Sequence, residues 1–344
     1  MRLLPVALMI VAVPAFAQMA PAPEEAPSLL AGEALPDCRV LSIPVLAGHC
    51  YALPRLLEGL QSPDADVRAR CCFLLGQIAA PEVRDPLAAR LSDADRSVRE
   101  FAGIALSRMG DMRGAHAAEA AYQGNRWWVR FWAVEALGIV GMIPAEVQND
   151  PDPLVGRLAA EAREAQWEPF VAEVCYSGPA DLTLDEVIFG LSSYLIAETD
   201  WWWHAGDYPQ ILRAQETILW LDPQWTEGYG LAGYLYWSLG RNTEAVGTYR
   251  RGVAVVPEAW ETHFELGFYY YNAWKRYEEA VPHFARAREL GAPSAQARLH
   301  AHALEHAGHP REALEVWREL LAADPNNGVL RLNIERLEAQ LSSG

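Results

Sequence analysis

Apolar and polar positions follow a regular pattern along most of this chain. After about Tyr51, apolar residues recur three and four positions apart, and short turns rich in Gly, Pro, Asp and Ser interrupt them at regular distances. Apolar residues at this spacing predict helices that each bury one face. The turn residues mark where one helix ends and the next begins. We therefore predict an all-α fold built from many short helices.

The second half of the chain repeats at a constant interval. One interval separates Gly206 from Gly240, and two intervals separate Gly240 from Gly308. Its prolines keep the same spacing, at Pro223, Pro257 and Pro325. A period of about 34 residues, with a glycine in the middle and a proline at the end, is typical of stacked helix–turn–helix units. Such arrays present extended binding surfaces, so the period indicates a binding scaffold.

A shorter period covers the first half of the chain. A Val-Arg pair recurs at a constant interval, at Val67-Arg68, Val98-Arg99 and Val129-Arg130. Nine residues after each valine comes a small residue that follows a leucine, namely Gly76, Ser107 or Gly138. Turns containing aspartate precede the first two pairs, and such residues cap helix starts. The third copy has Asn125-Arg126-Trp127-Trp128 where the acidic turn is expected.

These two periods resemble two families of helical repeats. The Val-Arg pairs that follow aspartate-containing turns, with a Leu-Gly or Leu-Ser pair late in each helix, resemble the short bacterial HEAT-like repeats noted in bilin lyases, over residues 51–167. The units of that family read as D-x-x-x-V-R followed by a helix ending in A-L-G. Residues 192–344 resemble a tetratricopeptide (TPR) array with a C-terminal cap helix, most clearly at Tyr229, Gly233 and Tyr236 in the unit Thr226–Ala259. The resemblance implies an α-solenoid of HEAT-like repeats followed by TPR repeats. Residues 168–191 would then be a connector, and protein contacts would be the usual role.

Two details of the TPR array can be predicted from the register. Gly233, Gly267 and Ala301 are each one period apart and are small enough to let neighbouring helices approach closely. The third unit has Trp274 where a glycine is expected, and one extra residue before Ala280. We therefore expect a longer turn there, without the geometry that glycine permits.

The N-terminal residues indicate export. An apolar run follows Arg2 and ends in Ala15-Phe16-Ala17, so residues 1–17 are typical of a cleaved signal peptide. An uncleaved anchor is the alternative. Residues 18–50, rich in Pro, Ala and Glu, are predicted to be a flexible leader. We expect a periplasmic or extracellular bacterial protein that does not insert into the membrane after cleavage.

The five cysteines carry two predictions. Cys38 and Cys50 flank a short loop and are able to close it as a disulfide, although the pairing among Cys38, Cys50, Cys71, Cys72 and Cys175 stays open. Cys71 falls at the register of Ala102 and Ala133, which predicts a buried packing thiol.

Charge and motifs exclude several functions. The formal net charge is −17, and Lys275 is the only lysine, so nucleic acid and anionic lipid are poor partners. The segment Gly228–Gly233 matches G-x-G-x-x-G, but no strand precedes it, so a dinucleotide site is not expected. No nucleophile–base motif occurs either. We predict a protein that is not an enzyme and needs no cofactor.

The TPR resemblance also implies which side chains face the inner groove. We predict a partner-binding surface there, because aromatic side chains dominate the inward register and are the usual anchors of peptide recognition. The predicted residues are Trp203, His204, Tyr234, Trp237, Phe264, Phe268, Tyr271, Asn272, Arg298 and His302. The alternative is that these rings pack between repeats as core. The next candidate surface is formed by Trp127, Trp128 and Trp132 of the HEAT-like segment.

A histidine-rich stretch provides the alternative function. His302 and His306 lie one helical turn apart, within a run from His300 to His309, and are weak candidates for a metal site. The main hypothesis is an exported, non-catalytic adaptor that holds a protein partner in an envelope or secretion assembly. The alternatives are metal binding, glycan binding by the aromatic groove, or an enzyme-associated role. The oligomeric state is left open.

Overall fold

The structure is a computed structural model that describes residues 49–164, 167–172, 178 and 181–343. Every regular element within these residues is helical and none is a strand, which confirms the predicted all-α class. The predicted signal peptide and almost all of the predicted leader lie outside them. Two compact units divide the chain, one ending at Asp222 and the other beginning at Pro223. The predicted limits of the connector and of the TPR array stay predictions.

The first compact unit contains nine α-helices within the described ranges. The first seven cover the HEAT-like segment, and the last two form a pair of longer helices. Their bounds are α1 Leu53–Gly59, α2 Ala65–Ile78, α3 Arg84–Arg90, α4 Arg96–Arg108, α5 Ala115–Tyr122, α6 Trp127–Ile139, α7 Pro153–Glu164, α8 Leu184–Ala205 and α9 Tyr208–Leu221.

The constant spacing of the Val-Arg pairs has a direct structural explanation. The Arg68 guanidinium donates to the carbonyl oxygens of Ser62 and Pro63, in the turn before its own helix, at 2.8 and 3.1 Å. It also binds the Asp93 carboxylate of the next repeat through Nε and Nη2, at 3.0 and 2.8 Å. Arg130 makes the same two kinds of bond, with Asp150 as the acid. These arginines therefore close one turn and join it to the following repeat.

The third HEAT-like copy differs from the first two at its helix start, where it has no capping aspartate. The side chains of Asp64 and Asp95 cap α2 and α4, whereas Arg126 precedes α6 and provides no side-chain cap. The Arg126 guanidinium lies over the rings of Phe101 and Trp128 instead, 5.8 and 5.2 Å from their centroids. A cation–π contact thus stands where the other copies have a carboxylate.

Helix α9 packs on the HEAT-like helices. The Trp220 indole stacks on Phe101, with 4.3 Å between ring centroids and 18° between ring planes. It also contacts Phe73 and Trp128, at 5.8 and 5.7 Å. The predicted surface of Trp127, Trp128 and Trp132 is therefore wrong, because these side chains are only 8%, 4% and 5% exposed.

Polar side chains of α9 are also buried against the HEAT-like helices. The Trp132 indole donates from Nε1 to Thr217 Oγ1 at 3.2 Å. The guanidinium of Arg213, a residue that is 2% exposed, lies 4.7 and 4.2 Å from the ring centroids of Phe131 and Trp132. Asp207, just before α9, is also buried, and desolvation raises its pKa to about 6. Helix α9 thus completes the core of the first compact unit.

The cysteines in this unit behave as the register predicts. Cys71, Ala102 and Ala133 are all fully buried, which confirms the predicted packing thiol. Burial raises the pKa of the Cys71 thiol to about 12, so little reactive thiolate is present near neutrality. Cys50 is disulfide-bonded. Cys38 and Cys175 lie outside the described residues, so the predicted Cys38–Cys50 bond stays a prediction.

The second compact unit is a stack of helix pairs followed by a single helix. Its core includes the fully buried side chains of Tyr229, Phe284 and Trp317. The helices are α10 Thr226–Ser238, α11 Asn242–Val255, α12 Trp260–Phe268, α13 Tyr277–Glu289, α14 Ser294–His306, α15 Pro310–Ala323 and α16 Gly328–Ser343. Helix α16 covers the predicted cap.

The small residues of the TPR register do bring helices together. A methyl group at Gly233 would lie 2.4 Å from the Tyr249 ring, and one at Gly267 would lie 3.0 Å from Phe284. Ala301 is fully buried as well. The G-x-G-x-x-G segment lies within helix α10, where Gly233 serves helix packing, so this segment does not form a strand–turn–helix phosphate site.

The turn of the third TPR unit corrects our expectation of altered geometry. Lys275 has φ +53°, the left-handed conformation that Gly240 and Gly308 adopt in the neighbouring turns at +74° and +88°. The extra residue is absorbed earlier, because Tyr269–Ala273 forms a π-helical turn that continues α12. The turn geometry is therefore kept, with strain that a lysine bears and a glycine would not.

Candidate functional site

A pocket lies between helices α10 and α12, the first helices of two successive pairs. The pocket is partly open, and its empty space together with the solvent in front of it amounts to about 500 Å³. Its lining residues are Gly230, Leu231, Tyr234, Trp237, Tyr249, Glu265, Phe268, Tyr269, Asn272 and Ala273. We call this site the α10–α12 pocket. Four of the predicted partner-binding residues line it, namely Tyr234, Trp237, Phe268 and Asn272.

Two local features shape the α10–α12 pocket. Gly230 carries no side chain at a place where a methyl group would meet Glu265 at 3.4 Å, so the carboxylate lies against open backbone. The π-helical turn contributes Tyr269, Asn272 and Ala273. Since a π-turn rotates the following residues relative to an ordinary helix, the inserted residue helps to set which side chains line the pocket.

In the pocket, Trp237 meets the rings of Tyr234 and Tyr269 nearly at right angles. The ring centroids of Tyr234 and Trp237 are 6.1 Å apart, with 76° between the ring planes. Those of Trp237 and Tyr269 are 6.2 Å apart, with 88° between planes. Tyr234, Trp237 and Phe268 are half-buried, so each keeps part of its ring surface open. These three rings are therefore not fully buried, although Trp237 also packs against Tyr269 of the next helix pair.

Among the described residues that line this pocket, Glu265 is the single carboxylate. Desolvation raises its pKa to about 7, and no charged group contributes to that shift. Two phenols, those of Tyr249 and Tyr269, line the same pocket. The pKa of Tyr249 is raised well above its ordinary value by burial first and then by Glu265, and burial raises the pKa of Tyr269 to about 12. The pocket is therefore aromatic, with one carboxylate that nothing cationic offsets.

Other predicted residues of the second unit lie outside this pocket. Phe264 is buried and packs against Phe268 and Phe284. Tyr271 contacts Tyr277 and Phe284, and burial raises its pKa. Arg298 is half-buried on α14.

Trp203 and His204 belong to the first compact unit, on helix α8. Trp203 is half-buried and meets Tyr208 edge-on, at 5.4 Å between ring centroids. The His204 side chain is 78% exposed and lies 3.7 Å from Asp200, measured from Nε2 to Oδ1. These two residues therefore sit in a different compact unit from the α10–α12 pocket.

The histidine run does not gather into one site. His302 meets the Trp317 ring edge-on at 4.9 Å, and burial lowers its pKa. His306 stacks on Tyr277 at 4.7 Å, and His309 lies 3.0 Å from Glu278. Within the described part of the chain, no three His, Cys, Asp or Glu side chains are placed to hold a metal ion. The structure thus gives the weak metal candidates His302 and His306 separate aromatic contacts.

Sequence reasoning missed the carboxylate of the pocket. Glu265 falls at the TPR register of Leu231 and Leu299, so its counterparts in the neighbouring units are apolar. A charged residue at an otherwise apolar register is the signal that would have found it. Tyr249 was not among the predicted partner-binding residues either, although its ring forms part of the pocket wall.

Comparison with known proteins supports the repeat architecture. A sequence profile described as HEAT repeats matches residues 53–138. Together with the stacked helix pairs of the second unit, this makes the chain a helical-repeat protein of HEAT- and TPR-like architecture. Among curated proteins, none matches the sequence. None of the helices in the described ranges is both long and apolar enough to cross a membrane.

Several solved structures are similar to this chain at low identity. The MamA protein is 18% identical with a TM-score of 0.36, covering 42% of this chain and 80% of its own. A thermophilic TPR protein of Thermus thermophilus is 17% identical with a TM-score of 0.33, covering 45% of this chain and 81% of its own. Yeast Tom70 is 12% identical with a TM-score of 0.37, covering 88% of this chain and 75% of its own.

Proposed function

We propose that this protein is a non-catalytic scaffold that binds a protein partner through the α10–α12 pocket. The observation that carries this proposal is the pocket itself, where half-buried rings of Tyr234, Trp237 and Phe268 surround open space. Aromatic side chains supply large contact areas and have few rotatable bonds, so fixing them on binding costs little entropy. Central aromatic anchors also dominate the energy of many interfaces.

We also propose that the protein is exported and acts in an envelope or secretion assembly. The apolar run that ends in Ala15-Phe16-Ala17 supports export. The disulfide bond at Cys50 is in keeping with an oxidising compartment, where such bonds persist. The large negative charge fits partners that carry basic surfaces, because opposite charges accelerate and orient association.

Capture of partners from an envelope extract tests the pocket. The test variant is Tyr234→Ala with Trp237→Ala, and the control is Phe189→Ala, which removes a 64% exposed ring from helix α8. We expect the test variant to lose the proteins that wild type captures, and the control to retain them. Far-UV circular dichroism establishes beforehand that both variants keep their helices.

A photo-crosslinking amino acid provides a second measurement that leaves the pocket largely intact. Placed at position 268, it should form adducts with the same proteins that wild type captures, whereas placed at position 189 it should not. If a folded Tyr234→Ala, Trp237→Ala variant captures the full set of partners and position 268 gives no adducts, the proposed function is wrong.

A further inference from the structure

The walls of the α10–α12 pocket suit a compact cation. Each aromatic ring has a negatively polarised face, and cations bind within about 6 Å of such a face. Trp237 stands at 76° to Tyr234 and at 88° to Tyr269, so its ring forms a wall that adjoins each of the other two. An ammonium group is compact and contacts two adjoining walls at once, whereas a flat guanidinium stacks on one ring face.

Glu265 supplies the matching negative charge. Elsewhere in this unit, a largely buried carboxylate has partners: Glu305 accepts hydrogen bonds from Trp317 Nε1 at 2.9 Å and from Arg336 Nη2 at 2.6 Å. Glu265 is partly buried, desolvation raises its pKa, and among the described residues it makes no ion pair. A charge partly removed from water without a partner is costly, and a bound cation would offset that cost.

The remaining lining fits the rest of a lysine side chain. Leu231 and Ala273 provide apolar surface for a methylene stem, and Asn272 offers an amide oxygen as a second acceptor. The titratable groups that line the pocket with this carboxylate are the phenols of Tyr234 on α10, Tyr249 on α11 and Tyr269 in the π-helical turn, and Glu265 acts electrostatically on Tyr249. None of these groups carries a positive charge that would compete with a ligand.

We propose that the α10–α12 pocket binds the side-chain ammonium group of a lysine from the partner protein, with Glu265 as its counter-ion and the surrounding rings as its walls. This inference rests on the proposed function and specifies what the partner presents. The net charge of −17 would attract a basic segment toward the protein before the lysine enters.

The test uses the full-length protein and three small probes. They are the N-methylamides of Nα-acetyl-lysine, of Nα,Nε-diacetyl-lysine and of Nα-acetyl-arginine. Each is titrated while the indole N–H resonance of Trp237 is followed by NMR, with Trp237→Phe used to assign that resonance. We expect the lysine probe to shift it in a saturable way. The diacetylated probe should bind at least tenfold more weakly, because it lacks the charge, and the arginine probe should also bind more weakly.

Two variants with the same change of charge test whether Glu265 is the carboxylate that binds the lysine ammonium group. Glu265→Gln should weaken lysine binding about tenfold, while Glu315→Gln, at an exposed position on helix α15, should leave it unchanged. Binding should also weaken as the pH falls from 8 to 6, since Glu265 takes up a proton in that range.

Equal binding of the lysine and diacetyl-lysine probes would overturn the inference, as would an unchanged affinity in Glu265→Gln. Tighter binding of the arginine probe would overturn the choice of lysine. Partner capture separates these failures from failure of the proposed function. If Tyr234→Ala with Trp237→Ala abolishes capture but Glu265→Gln does not, the pocket binds protein without a lysine anchor. If capture survives both, the proposed function fails as well.

Discussion

Replacing Arg68 with alanine should destabilise the first compact unit more than replacing Arg99, its equivalent one repeat later. Both guanidinium groups donate to two carbonyl oxygens of the preceding turn, at 2.8 and 3.1 Å for Arg68 and at 2.6 and 2.8 Å for Arg99. Arg68 also binds the Asp93 carboxylate through two charged hydrogen bonds. The difference between the two alanine variants therefore measures the bond between repeats.

The expected size of this difference follows from the surroundings of Asp93. Its side chain is 6% exposed, so water is poorly placed to replace the lost donors. Arg90 lies 3.6 Å away and compensates part of the charge that Arg68 leaves behind. Hydrogen bonds to charged groups contribute about 1.5–3 kcal/mol. We therefore expect the free energy of unfolding of Arg68→Ala to be about 2 kcal/mol lower than that of Arg99→Ala. For a unit of this size that corresponds to about 4–8 °C in the thermal midpoint.

Differential scanning calorimetry of the two variants at pH 7 provides the measurement. The hydrogen bond from Arg68 holds the pKa of Asp93 below its ordinary value. The stabilisation is thus complete above the unfolded pKa, near about 4, and is lost as the pH falls through the lower folded value. The difference between the thermal midpoints of the two variants should therefore be smaller at pH 3 than at pH 7. Equal midpoints for the two variants at pH 7 would refute the reasoning.

Four further predictions concern other parts of the chain. Cys71 should resist a bulky thiol reagent in the folded protein and react after denaturation, as mass spectrometry would show. Lys275→Gly should relieve the left-handed backbone and stabilise the second unit by about 0.5–1 kcal/mol, so a lower urea midpoint would contradict it. Glu265→Gln should raise the thermal midpoint at pH 8 but not at pH 5, because a raised carboxyl pKa costs the folded state stability as the pH rises toward 7. Intact-mass measurement of exported protein should lack residues 1–17, and a mass that includes Met1 would contradict cleavage.

The repeat periods predicted the architecture because each unit must bury its helices against the next. Helices that stack at a fixed interval need small residues at the same register, and Gly233, Gly267 and Ala301 showed that register directly. The buried Cys71 followed by the same reasoning. Local periodicity therefore contained nearly all the information on how neighbouring units pack.

Contacts between distant segments could not be predicted in this way. Trp128 and Trp132 looked like a free aromatic surface, yet Trp220 and Thr217, which come several helices later in the sequence, pack on them. The turn at Lys275 was also mispredicted, since a π-turn absorbed the extra residue before the turn began. In the pocket, the rings of Tyr234, Trp237 and Phe268 were predicted, but Glu265 was not, because its environment depends on three helices together.

The exposed side chain of Lys275 has a practical consequence. It is the only lysine in the sequence, so the protein offers amine-specific reagents one side-chain target besides its N-terminus. A bifunctional reagent that reacts with amines would attach at that turn, two residues after Ala273 of the pocket lining. Cross-links formed there by a bound partner would be assignable to a single position without any engineered residue.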